Sequence, residues 1–276
     1  MTDVDRPDPR GLSLCALCLL LAGCGGAEPA AAPAERNSAA AATPSAITSS
    51  TAPACETQSF EGSTFTVCRF NSRRDELRLA WRGRDGAPLR SLAALETSLG
   101  ADAARVRFAI NAGMYDEDGA PVGLYVEDGR RLKRINLRSG PGNFHLLPNG
   151  VFAMDSKGRV SVTPSWEFAA KPRAPRWATQ SGPMLVIHGK LHPRFDQDGP
   201  SRLVRNGVGV TDPATAFFAI SEEGVSFGRF ARFFRDRLGC ANALFLDGSV
   251  SSLWDPGADR QDGYSGLGPM AVVLRR

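Results

Sequence analysis

The chain has 276 residues and a formal net charge of +4, with 42 % hydrophobic and 22 % charged residues. That composition is ordinary for a globular protein and excludes a disordered chain or a multi-spanning membrane protein. Domains commonly run to about 100–200 residues, so the length suits one domain with an export segment and a linker. Acids and bases are interspersed without a basic stripe, which argues against nucleic acid as a partner.

In chain order, Gly11 to Gly23 is an apolar run too short for a membrane-spanning helix, which needs about 20 residues, but suited to the apolar segment of a signal peptide. It ends in Leu21-Ala22-Gly23-Cys24. This is similar to the lipobox of bacterial lipoproteins, in which small residues precede a cysteine that is lipidated and becomes the mature N-terminus. Arg6 and Arg10 stand among Asp3, Asp5 and Asp8, a departure from the net positive start of such signals. From Gly25 to Ala54 the chain is rich in Ala, Pro, Ser and Thr, and it cannot bury enough apolar surface to fold. The expected organisation is a signal peptide over 1–24, a tether over 25–54 and one folded domain over 55–276. The protein is expected to be exported and held at the membrane through a lipid on Cys24.

Cys55 and Cys68 bracket a short polar segment in a compartment where disulfides persist, and pair on that reading. Cys240, between a helical pattern and an apolar run, reads as a buried free thiol. Alternation in Leu77 to Trp81 reads as a strand. Leu89, Leu92, Leu95 and Leu99 at helical spacing predict a helix from Pro88 to Leu99, stopped by Gly100. Val106 to Ile110 is a further strand, followed by short β-runs punctuated at Asp128-Gly129, Pro148-Asn149-Gly150 and Lys157-Gly158. The densest basic run, Arg130, Arg131, Lys133 and Arg134, reads as a solvated hairpin arm. Ser226 to Leu238 predicts the clearest helix, with Ser226 as N-cap and Gly239 as C-cap. It feeds a buried strand at Ala243 to Leu246, and Met270 to Leu274 is another strand. The expected fold is α/β or α+β: a single domain with a large mixed β-sheet, several hairpins and few helices.

Four polar clusters follow or open strands, where side chains converge on a ligand crevice in α/β sheets. They are Asn111-Ala112-Gly113-Met114-Tyr115, Ser181-Gly182-Pro183-Met184-Leu185, Arg205-Asn206-Gly207-Val208-Gly209-Val210, and Phe245-Leu246-Asp247-Gly248-Ser249-Val250-Ser251-Ser252. Singly, each has a dull explanation as turn chemistry. In this order and spacing they resemble the phosphodiester glycosidase family, and the resemblance spans nearly all of Val106 to Val273. The bacterial branch is the nearer likeness, carried also by the segment from Gly142 to Phe152. The family's acidic motif is similar to Leu-Asp-Gly-Gly-Gly-Ser, whereas here Ser249 and Val250 follow Asp247-Gly248, so the backbone there approaches a ligand less closely.

Glycoside cleavage usually needs a carboxyl group as acid or base, and a phosphodiester leaving group needs cationic stabilisation of its oxygens. Asp247 is the best-placed carboxylate, Arg205 offers a planar donor fork, and His192 is a weaker candidate acid or base. Asn111, Gly113, Ser181, Gly182, Asn206, Gly248 and Ser251 are the candidate substrate contacts. For a second carboxylate, Asp116, Glu117, Asp118, Asp196 and Asp198 stand without a discriminating feature. Neither a cofactor nor a metal is expected. The two Asp-rich loops lack the first and terminal ligands of a calcium loop, and Gly189 breaks the helix that zinc ligation by His188 and His192 requires. The implied substrate is a carbohydrate or sugar phosphate. The alternatives are a non-catalytic lipoprotein that binds a glycan or envelope polymer, and a structural envelope protein with no small-molecule site.

Overall fold

The computed structural model describes residues 53–264 and 266–276. The expected signal peptide, the lipidation at Cys24 and all but the end of the tether lie outside the described residues.

Order begins where the polar tract ends. β1 (Cys55–Phe60) and β2 (Ser63–Asn71) form a hairpin around Glu61-Gly62, both at positive φ, a geometry whose twist matches that of paired strands. The register sets Cys55 opposite Cys68, and a disulfide joins them. In the chain-entropy picture, closing a loop of this size contributes roughly 3 kcal/mol. β3 (Asp75–Ala80) alternates as expected, with Leu77 and Leu79 buried.

α1 (Leu92–Leu99) is shorter at its start than the leucine spacing predicts. Ser91 is the reason: its hydroxyl accepts from the Ala94 N–H at 3.1 Å, while Arg90 sits at φ 63 and the Leu89 N–H bonds the Trp81 carbonyl. Gly100 at φ 56 ends the helix, and β4 (Val106–Asn111) follows. The basic run does form a hairpin arm, β5 (Tyr125–Glu127) turning at Asp128-Gly129 into β6 (Arg130–Lys133). β7 (Gly150–Asp155) and β8 (Val160–Pro164) pair across Lys157-Gly158. A short α2 (Ser165–Ala169) then leads to β9 (Pro175–Ser181). β10 (Met184–Ile187) and β11 (Lys190–Leu191) turn at His188-Gly189, and β12 (Asn206–Asp212) and β13 (Thr215–Ser221) pair next.

α3 (Phe227–Arg232) starts at Ser226, whose hydroxyl accepts from the Arg229 N–H, and widens over Phe233–Arg237 into a turn bonded from the Leu238 N–H to the Phe233 carbonyl. The chain closes with β14 (Asn242–Asp247), β15 (Leu253–Asp255), β16 (Arg260–Gln261) and β17 (Met270–Arg275).

The domain is strand-rich with few helices, and its strands divide into three sheets. The seven-stranded sheet has the order β1-β2-β13-β12-β14-β10-β11. The two five-stranded sheets run β16-β15-β4-β17-β3 and β6-β5-β9-β7-β8. Each pairing between named strands is antiparallel. One aromatic from each sheet meets in the core. Phe218 of β13 packs edge-on against Phe108 of β4 at 5.6 Å and Phe152 of β7 at 5.5 Å. The other face of the large sheet is covered by Phe230, Phe233 and Phe234, so β12 and β14 are buried on both sides. Cys240 lies in this layer as a free thiol, and burial pushes it up to about 12.

Candidate functional site

The packing brings the last residues of β4, β9 and β14 and the first of β12 to one place. β12 and β14 are antiparallel with Asn206 opposite Asp247, so the end of one strand meets the start of the other. Ser181, last in β9, donates its hydroxyl to the Leu246 carbonyl at 2.9 Å and ties the third sheet to β14 one residue before Asp247. Asn206 reaches across to the second sheet, its amide Nδ2 bonding the Asn111 carbonyl at 2.7 Å and the Asn111 Oδ1 at 2.9 Å. Ser252 closes the loop through its N–H to the same Oδ1 at 2.8 Å. The Ser251 hydroxyl sits 3.0 Å from the Val204 carbonyl, 3.2 Å from the Asp247 carbonyl and 3.5 Å from the Asn206 Oδ1.

Asp247 is only 7 % exposed. Its Oδ1 accepts from the N–H groups of Gly248 at 2.6 Å and Ser249 at 2.8 Å. Burial raises its pKa above the usual aspartate value, opposed by the backbone N–H groups of Ser249, Gly248 and Val250 and by the Asn111 amide. Asn111 is itself 1 % exposed and its Nδ2 has no partner at hydrogen-bonding geometry. With its Oδ1 held by Asn206 and Ser252, that donor stands free toward Asp247. Tyr115 faces the same carboxylate: burial first, and then the Asp247 charge, push its phenol up, while Arg90 over its ring at 5.7 Å opposes them.

Arg205 immediately precedes β12 and is fully buried. Its Nε donates to the Val225 carbonyl at 2.8 Å and its Nη2 to the Ser201 carbonyl and hydroxyl, both at 3.0 Å. The guanidinium lies 3.7 Å over the Phe227 ring and 5.5 Å from Phe245. Nη1 has no partner, and among the described residues no carboxylate pairs with this cation. Burial without a counter-charge lowers its pKa to about 10. A Cβ on Gly248 would stand 2.9 Å from the Phe245 ring and 3.4 Å from Nη1, so the bare glycine lets the turn after Asp247 pack against both.

Asn111, Asn206, Asp247, Gly248 and Ser251 are thus one connected group, with Arg205 at its edge. Ser181 and Ser251 direct their hydroxyls at backbone carbonyls and act as struts. Gly113 is at φ +86, and a Cβ there would overlap the Thr179 hydroxyl; Gly182 lies against Asn149, whose Cβ a side chain would meet at 2.6 Å. Gly113 lets the chain after β4 approach β9, and Gly182 lets the turn after β9 approach the segment before β7.

His192, the weaker candidate acid or base, lies among backbone and aromatic partners. It is 1 % exposed and stacked on Phe195 at 4.6 Å. Its Nε2 donates to the Leu147 carbonyl at 3.1 Å, and its Nδ1 accepts from the Arg194 N–H at 3.2 Å. This is the neutral tautomer with both nitrogens occupied by backbone, and burial lowers its pKa further. Of the candidate second carboxylates, Asp198 pairs with Arg202 at 2.6 Å and Asp116 accepts from the Ala120 N–H at 2.8 Å. The clefts of about 620, 510 and 480 Å³ lie elsewhere and contain none of this group. Buried donors without partners, as at Asn111 and Arg205, cost free energy unless a ligand satisfies them, which a cleft's volume alone does not.

Residues 104–259, which include Asn111, Ser181, Arg205 and Asp247, match the phosphodiester glycosidase family. The chain belongs to that family. A curated relative, the uncharacterized protein YigE of Escherichia coli, is 34 % identical over 198 residues, covering 70 % of this chain and 76 % of its own. Among solved structures, this family member resembles the catalytic domain of zebrafish N-acetylglucosamine-1-phosphodiester alpha-N-acetylglucosaminidase, auto-inhibited by its pro-peptide. The TM-score there is 0.55 with 13 % identity, over 80 % of this chain and 81 % of that one. It also resembles a hypothetical protein from Synechocystis with a TM-score of 0.50 and 17 % identity, over 80 % of this chain and 61 % of that chain. At these identities the structural likeness shows the fold, and the family match places the chain among glycosidase-type hydrolases.

Proposed function

We propose that the protein is an exported hydrolase of sugar-1-phosphodiester or closely related glycosidic linkages, acting at the Asp247 site. The observation that carries this reading is Arg205, a fully buried cation with no carboxylate partner among the described residues and one N–H unpaired, directly before Asn206, which lies opposite Asp247. A phosphate oxygen satisfies that N–H and supplies the missing charge. The Asn111 Nδ2, buried and without another partner, is directed at Asp247 and favours its carboxylate form.

This arrangement accounts for a site built around one carboxyl group. A phosphodiester leaves as an anion that needs no proton, so the general acid of an ordinary glycosidase is dispensable when Arg205 holds the departing oxygens. In the proposed step a water oxygen bonds the anomeric carbon, the bond from that carbon to the phosphate oxygen breaks, and Asp247 takes the proton from water. The products are the free sugar and a phosphomonoester. Incubating the full chain with a panel of sugar-1-phosphodiesters is expected to release both in equal amounts. Binding of the same compounds without release would favour the glycan-binding lipoprotein instead.

The proposed location rests on the lipobox-like Leu21-Ala22-Gly23-Cys24 and the polar tract after it. Cys24→Ala is expected to move the protein out of the membrane fraction or leave it unprocessed. Identical fractionation of the variant and the parent would remove the lipid anchor from the proposal.

A further inference from the structure

The third sheet carries a charge imbalance that the Asp247 site does not use. Its acids are all engaged: Asp128 with Arg176 at 2.7 Å, Asp155 with Arg159 at 2.8 Å and Glu167 with His188 at 2.8 Å, while Glu127 accepts the Tyr125 hydroxyl at 2.6 Å. Arg130, Arg131, Lys157, Lys171 and Arg173 pair with no acid among the described residues. Strand directions gather these cations at one end of the sheet. β5 and β7 run into it, β6, β8 and β9 start from it, and the Gly129 N–H is bonded to the Arg176 carbonyl there. The other end holds Ser181 paired with Gly150, beside the Asp247 site. β9 is seven residues long, so the two ends are about 20 Å apart at roughly 3.3 Å per residue.

Two clefts open at the cationic end. One, of about 470 Å³, is lined by Arg131, Lys171 and Arg173 with Ile135, Phe168 and Pro175. The other, of about 620 Å³, is lined by Lys157 and the Asp155–Arg159 pair and shares the wall from Lys171 to Pro175. Arg173 is held in place over the Phe168 ring at 5.0 Å. We propose that this double cleft docks an anionic polysaccharide strand. Its walls alternate cations with proline and aliphatic surface, which suits acidic groups spaced between the apolar C–H faces of sugar rings. A single-stranded nucleic acid calls for aromatic platforms, and Phe168 lines both clefts but is only 7 % exposed. A lipid surface favours a protruding apolar face over a recess. The proposal goes beyond the chemistry at Asp247 and stands or falls separately from it.

The test is binding of fluorescein-labelled polygalacturonate to the full chain, followed by anisotropy across a salt series. A cation near a dense anionic surface contributes about fivefold in affinity. The triple variant Arg131→Gln, Lys171→Gln, Arg173→Gln is therefore expected to bind on the order of 100-fold more weakly at low salt. Its slope of log affinity against log salt should be shallower by about 2, at roughly 0.7 per lost contact. Arg69→Gln, Arg84→Gln, Arg237→Gln removes the same charge elsewhere and is expected to change binding by less than about threefold on that scale. Hydrolysis of a small sugar-1-phosphodiester should be unchanged in both. If the triple variant does not fold, Lys171→Gln alone is read, with about a fivefold loss expected. The proposal is overturned if the parent does not bind the polymer, if the two triple variants weaken equally, or if an oligonucleotide or phosphatidylglycerol vesicles bind more tightly than the polysaccharide.

Discussion

Asp247→Asn is expected to lower turnover of a sugar-1-phosphodiester by about 100-fold or more, because general acid–base catalysis is worth about 10²–10⁴-fold and the amide takes no proton from water. The fold should survive the change, since an Asn Oδ1 still accepts from the Gly248 and Ser249 N–H groups. The pH dependence has a definite sign. Burial raises the folded pKa of Asp247 above its unfolded value, so its contribution to stability is complete below the unfolded pKa and is lost as pH rises through the raised one. The neutral Asn should then melt at or slightly above the parent at pH 7, with the difference closing in acid. Activity has the opposite sense, because the base must be ionised: kcat/KM should fall with acidification on a limb lying above the ordinary aspartate range. Calorimetry and a pH–rate profile of the two proteins check both halves. An Asn variant that keeps its turnover but melts well below the parent would make Asp247 a structural acceptor at the strand end.

The elements legible in the sequence were those whose signals are local. Alternation marked β3, Ser226 and Gly239 bounded the α3 region, and Asp128-Gly129 turned the basic arm. Asn111, Arg205 and Asp247 stood out because each is a polar residue at the edge of an apolar run, where a strand must end or begin. What was not legible depends on distant partners. β3 pairs with β17 and β2 with β13, so the division into three sheets is decided by contacts that no window of sequence contains. Whether a serine hydroxyl is free is equally remote, as Ser181 is spent on the Leu246 carbonyl. His192 is a candidate acid or base by residue type alone, and the carbonyl that binds its Nε2 belongs to the distant Leu147. At α1 two local signals conflict: the leucine spacing extends the helix back to Pro88, while Ser91 inside it is a capping residue and sets the start. The strongest functional sign, an arginine buried with no acid to pair with, is an absence that only the folded packing reveals.

Arg205→Lys tests that sign directly. Lysine keeps the charge but loses the fork, leaving the Val225 and Ser201 carbonyls short of donors, at about 1–3 kcal/mol of stability for a buried acceptor left unpaired. Loss of one preorganised donor to a developing anion costs about 10²–10³ in rate, so kcat/KM is expected to fall by at least that order. Rate and stability alone would not separate a phosphate-holding arginine from one that merely braces the loop before β12. Thermal melting with inorganic phosphate does. A ligand at about ten times its dissociation constant stabilises the native state by about 1.4 kcal/mol, which appears as a rise in Tm of several degrees for a domain of this size. The parent protein should show that rise and Arg205→Lys should lose most of it. Asp247→Asn, which leaves the Arg205 donors in place, should keep it. Equal phosphate shifts in the parent and the lysine variant would make Arg205 a structural cation and move the anion site away from Gly248.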